Sequence, residues 1–232
     1  LFRKPYMTLL QSNDASRWKT ALDSHSKAIE ALAAKKQEPS KLLALDKWFH
    51  SPKSVGRHSA LDKATLTKIV EWKLSRGTFR PGLLQKAASN GEAVVKKAYE
   101  DAKELLAEEG ETGDGKALLE AATKAVKVLD KSLVGVGPAT ASAVLSRCFP
   151  GSVAFMSDEA LLASGLFVKA GDIKYDMKTF GRFNELMQKK AHHLNLGLKK
   201  RAWSGDMVAR ALWAECVLEG GKHAVRTKPA AA

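Results

Sequence analysis

The sequence predicts an all-α fold. Apolar residues recur at spacings of three and four along most of the 232-residue chain, and Gly110, Gly135 and Gly220 stand where those stripes stop. The only run tempting as a strand is "SVAFM" (Ser152 to Met156), too short to found a sheet. With 45% hydrophobic residues the chain can bury a core, as one large domain or two small lobes.

From the N-terminus, an Ala-rich helix is expected between Arg17 and Lys36. "HSPKSVGRHS" (His50 to Ser59) reads as a soft break, and a helix from about Leu61 to Leu74 follows through Leu66, Ile69 and Val70. "SNGE" offers Ser89 as an N-cap with Glu92 as its reciprocal partner, and Val95, Tyr99, Ala102 and Leu106 carry that stripe to Gly110. A polar loop, "EEGETGDGK" (Glu108 to Lys116), separates it from a helix over Gly115 to Leu133. Its apolar face is Leu119, Ala122, Val126, Leu129 and Leu133. Further helices are expected after Pro138, around Asp158, through Phe180, Phe183, Met187, Ala191 and Leu194, and through Met207, Ala211, Leu212 and Leu218. The closing "PAAA" reads as frayed.

Lys and Arg outnumber Asp and Glu by 38 to 25, for a net charge of +13, which points to a polyanionic partner. Two cysteines, Cys148 and Cys216, are too few for a disulfide framework or a four-cysteine metal or iron–sulfur site. No apolar run approaches the roughly 20 residues of a membrane span. The expected setting is reducing, nuclear in a eukaryote and otherwise cytoplasmic, with no secretion and no membrane partner. The adjacent His192 and His193 point to different sides of a helix and do not read as a zinc site.

The stretch L-V-G-V-G-P-A-T-A carries the functional signal. Gly135 and Gly137 permit positive φ and let a phosphate reach the backbone without meeting a Cβ, while Pro138 suits a first helical turn. The amides around Ala139, Thr140 and Ala141 are then expected to be free. Together with the positive end of the helix dipole they can hold a DNA phosphate without a cationic side chain. Such a contact positions a protein on DNA and reads no sequence.

The pattern L-x-G-V-G-x-x-T-A-x-x-V-L, from Leu133 to Leu145, resembles the helix–hairpin–helix of the DNA glycosylase superfamily that includes the endonuclease III, adenine-mismatch and oxoguanine enzymes. The likeness covers about 30 residues from Leu133, with a looser helix-by-helix agreement back to about residue 60. It implies a two-lobed helical bundle. Residues 1–57 would form an N-terminal segment packing with the C-terminal lobe, 58–150 a central bundle ending in the hairpin, and 151–232 the C-terminal helices. It also implies that the backbone of Gly135, Val136, Gly137, Ala139, Thr140 and Ala141 grips DNA, the expected partner of a monomeric protein.

In that superfamily an essential Asp follows the hairpin at a set distance, and Asp158 lies 19 residues beyond Ala139. A carboxylate there stabilises the oxocarbenium-like sugar formed as an N-glycosidic bond breaks, and orients or deprotonates the attacking water. Ser157 or Asp158 also suits an ordinary N-cap, and Glu159 reads as solvated first-turn charge. Strand-cutting members carry a Lys where this chain has Ala139, so the resemblance is to the monofunctional kind, with strand cleavage absent or weak. No iron–sulfur loop follows residue 197, and no other cofactor is expected. Backbone carbonyls of Lys131, Leu133 and Val136 match those that hold a monovalent Na⁺ or K⁺ in such hairpins.

Two basic stretches flank this core. "EWKLSRGTFRPGL" groups Lys73, Arg76 and Arg80 with Trp72 and Phe79, either as a DNA-contacting elbow that stacks on an extruded base or as core aromatics beneath a solvated basic face. Lys199, Lys200 and Arg201 form a second cluster, a phosphate-contacting patch or a solvated face. Trp18, Trp48, Phe49, Trp203 and Trp213 read as core. Besides the glycosylase, two other functions fit the sequence: a non-catalytic hairpin DNA-binding module, and a basic helical scaffold for an acidic protein.

Overall fold

The computed structural model describes residues 8–51, 60–108, 115–200 and 202–220. Among these the chain forms α-helices and short 3-10 turns with no strand. The helices are α1 (Ala15–Asp23), α2 (His25–Ala33), α3 (Pro39–Phe49), α4 (Lys63–Arg76), α5 (Pro81–Ala88), α6 (Glu92–Glu108), α7 (Gly115–Ser132), α8 (Pro138–Cys148), α9 (Asp158–Ala163), α10 (Met177–Asn195) and α11 (Gly205–Leu218).

Side-chain caps set many of these starts. Asp14, Asp62, Asp176 and Ser204 accept backbone N–H groups of the first turns of α1, α4, α10 and α11. Pro39, Pro81 and Pro138 each open a helix, where a missing N–H costs nothing. The single helix expected between Arg17 and Lys36 is two, because the chain breaks at Ser24, whose hydroxyl donates to the Ala21 carbonyl at 2.7 Å. Ser89 does not start α6. Its hydroxyl donates to the Lys86 carbonyl at 2.8 Å and ends α5, while the Glu92 carboxylate accepts the Lys63 N–H at 3.0 Å. The expected stop at Gly110 and the frayed "PAAA" lie outside the described residues.

Two helices are central. Every residue of α8 is buried, and α8 packs on α4, α7 and α10. Helix α11 buries Val208, Ala209, Ala211, Leu212, Trp213, Ala214 and Cys216 against α1, α2, α9 and α10. A helix that is apolar on nearly all sides belongs inside a fold, and both obey that rule. The "SVAFM" run is an extended, buried connection between α8 and α9 rather than a strand.

An aromatic stack joins the elements beneath that connection. Trp72 of α4 lies against Phe49 of α3 with ring centroids 3.5 Å apart and planes 6° from parallel, and Phe155 lies 5.3 Å from Trp72. Trp18, Trp72, Trp213, Trp203 and Phe49 are all buried as expected, whereas Trp48 is half-buried and Phe79 is 49% exposed. Phe79 therefore belongs to the surface and not to the core.

Candidate nucleic-acid interface and catalytic cleft

The hairpin is held from outside itself. Gly135 takes φ +77°, the left-handed region that ends α7, and a Cβ there would lie 2.8 Å from Lys86 Cβ and 2.9 Å from the Ala87 nitrogen. The glycine is thus demanded by α5, which packs directly against the turn. Asn90 completes the clamp: the Val134 N–H donates to Asn90 Oδ1 at 2.9 Å, and Asn90 Nδ2 donates to the Val134 carbonyl at 2.9 Å. Gly137 differs from Gly135. It is exposed, has φ −89°, and has open space where a Cβ would stand, so its conformation does not require glycine.

The amide inventory at the start of α8 is narrower than the sequence suggested. The Thr140 and Ala141 N–H groups both donate to the Gly137 carbonyl at 2.9 Å, and Ala141 is wholly buried. They are not free. The Gly137 and Ala139 amides have no such bond; both residues line the cleft, Gly137 exposed and Ala139 buried. Of the carbonyls expected to take a monovalent cation, Leu133 already accepts the Val136 N–H at 3.3 Å, which leaves it one lone pair. Lys131 lies in the last turn of α7 and Val136 in the turn that follows, so all three carbonyls stand at the helix end, where carbonyl oxygens lack intrahelical partners.

Residues 152–156 run from α8 to the start of α9 and are bolted in place by three helices. Asn184 Oδ1 accepts the Ala154 N–H at 2.9 Å, and its Nδ2 donates to the Ser152 carbonyl at 2.9 Å. Asp206 Oδ1 accepts the Phe155 N–H at 3.1 Å, and Ser142 Oγ accepts the Met156 N–H at 3.1 Å. A buried extended segment has no ladder of its own, so these side chains satisfy its amides and fix its path. That path delivers Ser157 as the N-cap of α9, accepting the Ala160 N–H at 3.4 Å. Asp158 is therefore released from capping, and its Oδ1 instead accepts the Tyr175 hydroxyl at 2.8 Å.

These pieces meet in one cleft of about 410 Å³, within the ~300–1,000 Å³ usual for ligand sites. The hairpin supplies Gly135, Val136, Gly137, Ala139 and Thr140 to its wall. The start of α9 supplies Ser157, Asp158 and Glu159, α4 and the loop after it supply Lys73, Arg76 and Arg80, and Tyr175 joins the wall beside Asp158. Glu159 is half-buried rather than solvated, and burial pushes its carboxyl above the usual range against the pull of Arg76. Lys36, from the link between α2 and α3, donates to the Gly77 carbonyl at 2.6 Å and pins the rim.

The cations of the sequence separate into different roles. Arg80 is exposed at the cleft, and Lys73 is half-buried within it. Arg76 is 6% exposed, its guanidinium 4.1 Å from the Trp213 ring centre and 4.7 Å from that of Trp72. It is a core cation beneath the cleft, so a surface phosphate contact is not its role. Lys199 and Lys200 are exposed in the loop between α10 and α11 and do not line the cleft, and Arg201 lies outside the described residues. Sequence reasoning missed Tyr175, Asn90, Asn184, Asp206 and Lys36, none of which belongs to a local motif.

Metal-ligating residue types do gather elsewhere, at His25, Asp46 and His50, whose ligand atoms lie within 4.8 Å of one another. Asp46 is already engaged there: Oδ1 accepts Trp72 Nε1–H at 3.0 Å, and Oδ2 lies 3.0 Å from His25 Nε2. The charges of Arg76 and Arg210 also bear on this group. A divalent ion would add positive charge beside two guanidinium groups, so the carboxylate reads as their buried counter-charge. Both His192 and His193 are exposed.

No family model matches the chain, and no curated protein or solved structure matches it. No helix among the described residues is long and apolar enough to cross a membrane.

Proposed function

We propose that this protein is a DNA glycosylase of the helix–hairpin–helix type, which binds duplex DNA, turns a damaged or mispaired base out of the stack and hydrolyses its N-glycosidic bond. One observation carries the reading: Asp158, free of capping duty, lines the same cleft as the hairpin glycines. The Gly137 and Ala139 amides, which make no backbone hydrogen bond, hold a phosphate, with Arg80 on the same cleft, and the +13 net charge draws the duplex in. The two lobes in this reading are the hairpin-bearing bundle of α4 to α8 and the N- and C-terminal helices α1 to α3 and α9 to α11, with the cleft between.

Extrusion costs a few kcal/mol, least for a base already mispaired or damaged, which supplies part of the selectivity. In the cleft, the Asp158 carboxylate stabilises the developing positive charge on the sugar and takes a proton from the attacking water. Ala139 stands at the hairpin position where strand-cutting enzymes of this kind carry an amine, so water is the nucleophile and the product is an abasic site. Base release from a panel of lesion-bearing duplexes, run beside Asp158→Asn, tests this. A wild-type protein that binds DNA with a steep salt slope and releases no base from any duplex would be a binding module instead. A protein that fails to bind duplex DNA near physiological salt would point to an acidic protein partner.

A further inference from the structure

A second cavity, of about 200 Å³, lies away from the cleft among α3, α4, α6 and α8. The cleft takes Lys73 and Arg76 of α4 and the first turn of α8, whereas this cavity takes Thr65 and Ile69 of α4 and Val144, Arg147 and Cys148 at the end of α8. Arg147 is only 7% exposed. Its Nε–H donates to the Phe49 carbonyl at 3.2 Å, but Nη2 is buried with no hydrogen-bond partner. No carboxylate acts on its charge among the described residues. The groups that do are the Cys148 thiol and the Tyr99 phenol, and burial pushes the pKa of both up, so both are neutral. Arg76, by contrast, has Asp46, Glu159 and Asp206 to answer its charge. Two rings soften the burial of Arg147, whose Cζ lies 4.3 Å from the Trp48 ring centre and 5.7 Å from that of Phe49. They do not neutralise it: a guanidinium keeps its proton at physiological pH, and a buried charge left unpaired is strongly unfavourable.

We propose that this cavity binds a small organic monocarboxylate, whose two oxygens take the Nη groups of Arg147 and whose apolar body packs on Leu61, Ile69 and Val144. With Nε engaged by Phe49, the Nη pair is the edge left to a ligand, and its fork matches a carboxylate in two-point contact. The Tyr99 hydroxyl, which has the Cys148 thiol beside it and no hydrogen-bond partner, is a further donor on the same wall. Charge fixes the class. One carboxylate cancels one guanidinium, whereas a phosphate dianion would leave net negative charge against apolar walls. Size fixes the scale, since the cavity is smaller than the ~300–1,000 Å³ of larger ligand sites and suits a body of a few carbons. Among its lining residues Ala60 is exposed and Trp48 and Thr65 are half-buried, which gives a small solute a way in. The site is independent of the glycosylase reading, because no cleft residue enters it.

Calorimetric titration with sodium isovalerate, run beside its uncharged counterpart isovaleramide, tests this. The acid is expected to bind with a Kd of about 1 mM or tighter, and the amide at least about tenfold more weakly. In a ¹H–¹⁵N correlation spectrum of the wild type, the Trp48 indole N–H signal, assigned with Trp48→Phe, should shift as the acid is added. That readout does not depend on any Arg147 variant folding. Arg147→Gln should keep its helical circular dichroism and lose at least about tenfold in affinity for the acid. No binding of the acid, equal affinity for acid and amide, an unmoved Trp48 signal, or undiminished binding by folded Arg147→Gln would overturn the site. Inorganic phosphate that binds more tightly than isovalerate would overturn the carboxylate class. Base release from lesion-bearing duplexes is scored separately, so the failure of either reading leaves the other standing.

Discussion

The Tyr175 hydroxyl donates to Asp158 Oδ1 across 2.8 Å, and this bond replaces the helix-capping bond that an Asp at such a position usually makes. Ser157 caps α9 in its stead. Burial and the neighbouring Asp158 charge push the Tyr175 phenol above its ordinary range, so it stays a donor throughout the physiological pH range. One oxygen of Asp158 is thereby anchored while the other remains available to water or sugar.

Removing the carboxylate should therefore separate chemistry from binding. Asp158→Asn is expected to lower base release by at least about 100-fold, the lower range for a general base, with duplex affinity nearly unchanged. Tyr175→Phe should cost about tenfold in rate, as expected for one hydrogen bond to a charged group. Single-turnover base release and equilibrium DNA binding, measured on the same variants, check both. Equal losses of rate and affinity would count against a catalytic carboxylate.

The two hairpin glycines should respond in opposite ways. Gly135→Ala forces a side chain into left-handed backbone and against the backbone of α5, at a cost of about 2 kcal/mol or more. For a chain of this size that lowers the melting temperature by about 4–8 °C. Gly137→Ala should leave it unchanged, because nothing stands within 4 Å of the added Cβ. Gly137→Asp should fold equally well yet weaken duplex binding by about tenfold or more, ~1.4 kcal/mol, by placing a like charge at the phosphate. Thermal melts and salt-dependent binding distinguish these outcomes, and unchanged affinity in folded Gly137→Asp would remove the hairpin from the interface.

The contrast between these glycines shows what the sequence makes legible. Helix stripes such as Ala122, Val126 and Leu129 are local in the chain, so their period reveals α7 directly. The start of α8 at Pro138 and the start of α9 near Asp158 are legible for the same reason. The bonds that aim the site are not. Asn90 reaches Val134 across 44 residues, and Asp206 reaches Phe155 across 51. A polar residue that satisfies a distant backbone amide looks, in sequence, like any surface Asn or Asp. Arg76 misleads for the opposite reason: a charged residue in a basic run reads as surface, and the rings of Trp72 and Trp213 together with the Asp46 charge make its burial tolerable. Bound amides at Thr140 and Ala141 were equally invisible, since the first turn of α8 closes on the Gly137 carbonyl.

Asn184 offers a test of positioning without contact. It does not line the cleft, yet Asn184→Ala would strip partners from the buried Ala154 N–H and from the Ser152 carbonyl. Leaving such groups unpaired costs about 1–3 kcal/mol each. The variant is expected to unfold at lower urea and, where still folded, to release base more slowly without losing DNA affinity. Full activity in a destabilised variant would show that the 152–156 segment keeps its path without this bolt.

The buried group at His50 sets an acid limit on stability. Burial holds its imidazole neutral and pushes its pKa down to about 2, with Arg210 acting in the same direction. In the unfolded chain a histidine titrates near 6.5, so below that pH the unfolded state binds the extra proton and gains stability. Folding stability attributable to His50 is thus full above about 6.5 and falls as the pH drops toward 2, by up to about 1.4 kcal/mol per pH unit. His25, whose pKa is also lowered by burial, acts in the same sense. For Asp46, burial alone would raise the carboxyl, but its bond to His25 and the charge of Arg76 outweigh that and hold it well below the usual range. Its contribution is present above the ordinary carboxylate pKa and is lost only on further acidification. Urea midpoints should therefore fall between pH 7 and pH 5, before Asp46 titrates. His50→Gln, which takes up no proton, should flatten that slope by up to about one proton, and an unflattened slope would mean that His50 accepts its proton without unfolding.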